Sequence, residues 1–182
     1  VETVTLVNNS AEATLRQTGK SALPKFYGGF NTALSAYGFD LSAAFAYQIG
    51  GYTYDSNYQS LMTAGRIGTN WHKDAFNRWT PDNTTSEVPR LQNAYQEASS
   101  TSTRWLTDAS YISLRNLTVG YTFPKRIANR LSMQSLRIFA TGDNLWYLSR
   151  RKGLDVRQSF SGGTGFTYSA LRTVSGGLTV TF

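Results

Sequence analysis

Five stretches of this chain alternate apolar and polar residues with period two, the signature of strands that turn one face to apolar surroundings and one to polar. In "FYGGFNTALSAY", Phe26, Phe30, Leu34 and Ala36 lie on one side, with Asn31 and Ser35 on the other. "LSAAFAYQIG" sets Leu41, Ala43, Phe45, Tyr47 and Ile49 against Ser42 and Gln48. In "SYISLRNLTVGYTFP" the apolar phase slips, from even at Ile112 and Leu114 to odd at Leu117, Val119, Tyr121 and Phe123. One extra residue flips every later side chain, so the slip predicts a bulge near Arg115 and Asn116. "SLRIFATGDNLW" opposes Leu136, Ile138 and Ala140 to Arg137, Thr141 and Asp143. "TVSGGLTVTF" opposes Val174, Leu178, Val180 and Phe182 to Thr173, Ser175, Thr179 and Thr181. The pattern predicts an all-β chain, with strands at about 26–37, 40–50, 110–124, 135–147 and 169–182.

The connections alternate in length. "YGFD" is a tight turn around Gly38, whereas residues 51–108 form a long loop. The basic stretch "KRIANRLSMQ" makes a modest connection, and the glycine-rich 148–168 makes a second long one. Short helices are expected within the long loop at about 56–64 after Asp55 and 71–79 after Asn70, the second stopped by Pro81. Alternating short and long connections predict an antiparallel transmembrane β-barrel segment with long extracellular loops. Aromatics near the strand ends fit the two interfaces of a membrane: Tyr37, Phe39, Tyr121, Phe123 and Phe182 at one rim, Tyr47, Tyr52, Tyr54, Trp146 and Tyr147 at the other. Charged residues are 16% of the chain, against about 25% in soluble domains. No apolar run approaches the ~20 residues of a spanning helix. The same alternation would also serve a soluble β-sandwich, such as a carbohydrate-binding module, and that alternative stays open.

Other chemistries find little support. The net charge of +7 is scattered apart from "KR" at 125–126 and "RRK" at 150–152, which reads as solvated turns rather than a nucleic-acid stripe. There is no cysteine, hence no disulfide framework or thiolate metal site. The one histidine, His72 in "NWHKDAF", stands near Asp74 without the further partners a catalytic set needs. "GGTG" at 162–165 lacks the Lys-Ser/Thr of a phosphate loop. Asp55, Asp74, Asp82 and Asp108 lack calcium-loop spacing. The expectation is therefore no enzyme, no metal and no cofactor. The opening "VETVTLVNNS" has neither the basic start nor the apolar stretch of a signal peptide.

The long loop carries Trp71, Phe76, Trp79, Tyr95 and Trp105, too many large aromatics for a disordered segment. They form the loop's own small core, touch a partner protein, or stack on a substrate; Trp and Arg are enriched where proteins meet. Trp71, Arg78, Trp79, Tyr95 and Trp105 are the candidate partner or substrate contacts.

Taken together, "LPKFYGGFNT…GFDLS", "NRWTPDN" with "VPRL", "SYISLRNLTVGYTFP", "LRIFATGDNLW" and the terminal aromatic strand resemble the C-terminal end of SusC/RagA-type TonB-dependent transporters, outer-membrane importers of Bacteroidetes. The resemblance runs collinearly through nearly the whole chain. It implies about five strands of a barrel of ~22 strands with a plugged lumen, the plug domain lying outside this chain. It further implies import of glycan or peptide oligomers into the periplasm, with a SusD-like surface lipoprotein, the TonB complex, the remaining barrel wall, outer-membrane lipid and the barrel-assembly machinery as partners. On that reading Leu41, Phe45, Ile49, Val119, Tyr121, Ile138, Leu178 and Val180 face lipid. Gln48, Arg137, Thr141 and Asp143 face the lumen, as do Ser42, Thr118 and Thr179. Leu178, Val180 and Phe182 form the C-terminal assembly signal, and the bacterial outer membrane is the expected location.

Overall fold

The computed structural model describes residues 10–13, 17–63, 68–91, 99–157, 163–164 and 168–182. Its frame is a five-stranded antiparallel sheet, its strands named here in spatial order from one edge to the other. The members are β1 (Phe26–Ala36), β2 (Phe39–Ile49), β5 (Tyr111–Thr122), β6 (Ser135–Ser149) and β8 (Thr173–Thr181). Between β2 and β5 the chain adds β3 (Tyr52–Asp55), helix α1 (Ser56–Met62), a 3-10 helix (Lys73–Asn77) and β4 (Leu106–Asp108). A short helix, α2 (Lys125–Arg130), links β5 to β6, and β7 (Gly163–Thr164) precedes β8.

Local chemistry accounts for the joints. The β1–β2 hairpin turns on Tyr37 and Gly38, both at positive φ (53° and 87°). That pairing is a two-residue turn whose twist matches the strands. Phe30 stacks on Phe45 across the hairpin at 4.7 Å between ring centroids. Helix α1 begins where the Asp55 carboxylate accepts the Tyr58 backbone N–H at 3.0 Å. At Arg115 the β2–β5 and β5–β6 registers both shift, between Ala44 and Phe45 and between Leu114 and Asn116. Opposite this bulge Asn144 sits at φ 51°, a conformation Asn tolerates better than most residues. The bulge keeps Leu117, Val119 and Tyr121 on the same face as Leu114 and Ile112.

Three expectations are corrected. The chain is not all-β: α1, α2 and a second sheet of order β4-β3-β7, with β3 and β7 parallel, make it mixed α/β. Nor do the described residues form a barrel. The five-stranded sheet is open, with β1 and β8 as unpaired edges, and five strands are too few to close when the smallest such barrels have about eight. The reading of this chain as an outer-membrane-spanning β-barrel wall is withdrawn with it. Among the described residues no helix is long and apolar enough to cross a membrane. The helix expected at 71–79 is also shorter and tighter than read: a 3-10 helix over Lys73–Asn77, preceded by His72 rather than Asn70.

Buried apolar side chains gather at the loop end of the sheet. Met62, Ala75 and Trp105 form one cluster, flanked by Tyr54, Tyr58 and Val88. Ala109, Leu154 and Val156 form another against Tyr111. The apolar face of the sheet itself is open, with Phe26, Leu34, Phe39, Val119, Ile138, Trp146 and Leu178 all exposed.

Candidate functional site in the long loop and on the polar sheet face

The loop unit is held by a row of polar contacts drawn from four elements. At the end of β3, Asp55 accepts the Arg151 Nε–H at 3.3 Å. The Arg151 guanidinium in turn lies 4.0 Å from the centre of the Tyr58 ring on α1. Tyr58 donates its hydroxyl to Asp74 Oδ2 at 2.9 Å. Burial, reinforced by the Asp74 hydrogen bond, raises the Tyr58 phenol above its ordinary pKa. Asp74 donates its backbone N–H to His72 Nδ1 at 3.2 Å. With its nitrogen acting as a helix cap, His72 is not arranged as a catalytic base.

Beside this row opens a polar cleft of about 440 Å³, walled by Tyr58, Asp74, Asn77, Asn83 and Glu87. Its far side is braced by Asn83 Nδ2, which reaches Asn77 Oδ1 at 3.1 Å, and by Ser86 Oγ, which donates to the Asn77 carbonyl. The arrangement offers carboxylate, amide and phenol groups to a polar ligand, and no activated nucleophile. Among the described residues no group of three His, Asp or Glu side chains is placed to hold a metal.

The loop candidates separate by burial. Trp105 is 2% exposed, and its Nε1–H donates to the Ser100 carbonyl at 2.9 Å. It is the centre of the loop's own core, stacked edge-on with Tyr58. Trp71 and Trp79 are exposed, and Arg78 lies between, its backbone bridged to Val88. Tyr95 lies outside the described residues.

The four polar sheet candidates lie on one face, each engaged by a neighbour. Gln48, nearly buried, donates to the Ala109 carbonyl at 3.2 Å. Thr141 pairs with Thr118 at 3.0 Å, and Asp143 accepts from Asn116 at 2.8 Å. Arg137 on β6 donates its Nε–H to Asp40 on β2 at 2.9 Å, crossing over the intervening β5. Gly120 makes that crossing possible, since a Cβ there would stand 2.5 Å from both the carboxylate and the guanidinium. On the opposite face Leu178 and Val180 lie exposed along β8, followed by Phe182.

Reading the sequence missed the Arg151–Tyr58 contact and a second buried pair. Arg157 binds Asp155 through Nε (2.8 Å) and Nη2 (2.6 Å) and stacks over Tyr147. The hydrogen bonds from Arg157 hold the Asp155 carboxyl below its ordinary pKa. Asp155 and Arg157 are two residues apart in a glycine-flanked segment, and no motif marked them.

No family model matches the chain. It is similar to two proteins of Formosa agariphila: TonB-dependent receptor P3, 34% identical over 137 residues, and TonB-dependent receptor P26, 27% identical over 172 residues. Those alignments take in 75% and 89% of this chain but 13% and 17% of the relatives, so the chain spans under a fifth of their length. Among solved structures it is similar to the RagAB peptide transporter, at 28% identity and a TM-score of 0.74 over 90% of this chain. It is also similar to the RagAB peptide importer in its closed-closed state, at 26% identity and a TM-score of 0.77 over 91%. Each match takes in 18% of the solved chain. The resemblance to TonB-dependent transporters therefore stands, while its extension to a barrel formed by this chain is corrected by the open sheet. These relatives carry the names of receptors and transporters.

Proposed function

We propose that this chain works in nutrient import, as a component of a TonB-dependent outer-membrane transport complex in a bacterium. The observation that carries the reading is the agreement between two independent likenesses. Sequence similarity to TonB-dependent receptor P3 and structural similarity to the RagAB peptide importer take in most of the same residues. In finer detail, the transported solutes are glycan or peptide oligomers, delivered with a SusD-like surface lipoprotein and driven through TonB. The polar sheet face, with Gln48, Arg137, Thr141 and Asp143, is the side turned to the solute. Trp71, Arg78 and Trp79 in the loop unit meet the lipoprotein or the solute, and Tyr95 belongs to the same proposed surface. Leu178, Val180 and Phe182 are read by the machinery that assembles the complex.

The test is uptake. Deleting the gene in its source organism should abolish import of at least one labelled oligosaccharide or oligopeptide, and re-expression should restore it. Replacing Trp71 and Trp79 together by Ala should weaken co-purification of the surface lipoprotein while leaving the amount of the protein unchanged. Growth and uptake indistinguishable from the parent on every oligomer tried would overturn the reading. A sandwich module is not favoured: sandwiches bury the apolar faces of their sheets against each other, and here that face is exposed.

A further inference from the structure

His72 is the chain's one histidine, and its Nδ1 faces two groups with opposite demands. The Asp74 backbone N–H lies 3.2 Å away and needs an acceptor. The Asp74 carboxylate oxygen Oδ2 lies 3.3 Å away and needs a donor. A neutral Nδ1 can serve only the first and a protonated one only the second. The geometry at Nδ1 therefore accommodates one contact or the other, according to where the proton sits.

We propose that His72 is a proton-operated latch on the 3-10 helix Lys73–Asn77. When neutral it caps that helix through the Asp74 N–H. When protonated it drops the cap and donates to the Asp74 carboxylate instead. The only covalent change is the N–H bond formed when Nδ1 takes one proton from solvent; the rest is an exchange of one hydrogen bond for another.

The surroundings make the latch consequential. Through its backbone N–H, His72 is tied to the Leu61 carbonyl near the end of α1, 3.0 Å away. Its ring meets Tyr58 edge-on at 4.9 Å. The titratable and charged groups around it are Tyr58 on α1, Asp74 on the 3-10 helix, Arg151 over the Tyr58 ring, Asp55 behind Arg151, and Lys73, its exposed chain neighbour. Tyr58 and Asp74 are also two walls of the cleft. A proton on His72 thus acts on the same carboxylate that Tyr58 holds, and it changes the cleft's lining.

Hydrogen exchange with mass-spectrometric readout on the intact chain tests it, with rates corrected for the chemical pH dependence. Between pH 8 and 5, protection of the segment spanning residues 73–77 should fall about three- to tenfold, as loss of one helix cap implies. His72→Asn sets Oδ1 close to where Nδ1 stood, an acceptor that does not titrate, so its protection should be flat across that range. Asp74→Asn removes the ion-pair partner and should move the midpoint of the fall to lower pH. Protection unchanged with pH in the unsubstituted chain, or an equal fall in His72→Asn, overturns the latch. An unmoved midpoint in Asp74→Asn overturns its pairing with the carboxylate.

Discussion

Gly120 shows how one missing side chain organises a face. Asp40 and Arg137 belong to strands that are not neighbours, and their ion pair must pass over β5. Only a residue without a Cβ leaves room, so Gly120→Ala should push carboxylate and guanidinium apart. A small loss of stability is expected, because the pair lies at the surface and its side-chain ends can shift, and denaturant unfolding would measure it. A Gly120→Ala chain as stable as the parent would mean that the pair rearranges freely. The loop tryptophans divide as sharply. Trp105→Ala empties the centre of the Met62–Ala75 cluster and should cost about 3–5 kcal/mol. Trp71→Ala and Trp79→Ala, at exposed positions, should stay within about 0.5 kcal/mol. Protease cutting in the loop is a convenient readout, since only the Trp105 variant should be cut faster. Sequence alone placed these three tryptophans in one class. What separated them was the approach of Met62 and Ala75 from elsewhere in the chain, which no local pattern records.

At the scale of the element, the strands were the most legible part. Period-two alternation marked all five members of the main sheet, and the phase slip at Arg115 marked the bulge before any pairing was known. The ends were less sharp: the final strand begins at Thr173, four residues later than its alternation had implied. The second half of the bulge was not legible. Nothing marks Asn144 within the alternating stretch "SLRIFATGDNLW", yet it takes positive φ so that β6 can follow β5. Asn144→Val should therefore cost about 1–2 kcal/mol, the penalty of forcing a β-branched residue into that region. Asn144→Gly should be nearly neutral. Comparing the two by thermal unfolding separates backbone strain from lost side-chain contacts, because both remove the amide. Equal losses would place the cost in the Asn144 side chain, whose Nδ2 reaches the Leu171 carbonyl at 3.3 Å. Helix α2 escaped the sequence reading for a different reason. Six residues make a helix too short to show periodicity, and what holds it is burial of Ala128.

For the whole molecule the decisive property is a sheet whose apolar side is bare. Phe26 and Val174 are 67% and 72% exposed, Leu178 69%, and among the described residues neither edge of the sheet is paired. Exposed apolar area and open edges both favour association. The isolated chain should therefore self-associate in buffer. Ile138→Lys with Leu178→Lys, a register pair on that face, should reduce the association seen by light scattering. Thr179→Lys on the opposite face should not. A monomeric isolated chain would show that the face is covered from within. The alternation by itself determined that such a face exists, because period two assigns each side chain to a side whatever the partners are. It also carried the likeness to TonB-dependent transporters, through stretches that fall on those same strands. What only the tertiary structure decided was closure and company. Whether strands close into a barrel depends on their number and on how the edges meet, and here the sheet stays open. The His72–Asp74–Tyr58–Arg151–Asp55 row joins residues up to 96 positions apart. Its geometry depends on packing between elements, which a one-dimensional pattern does not contain.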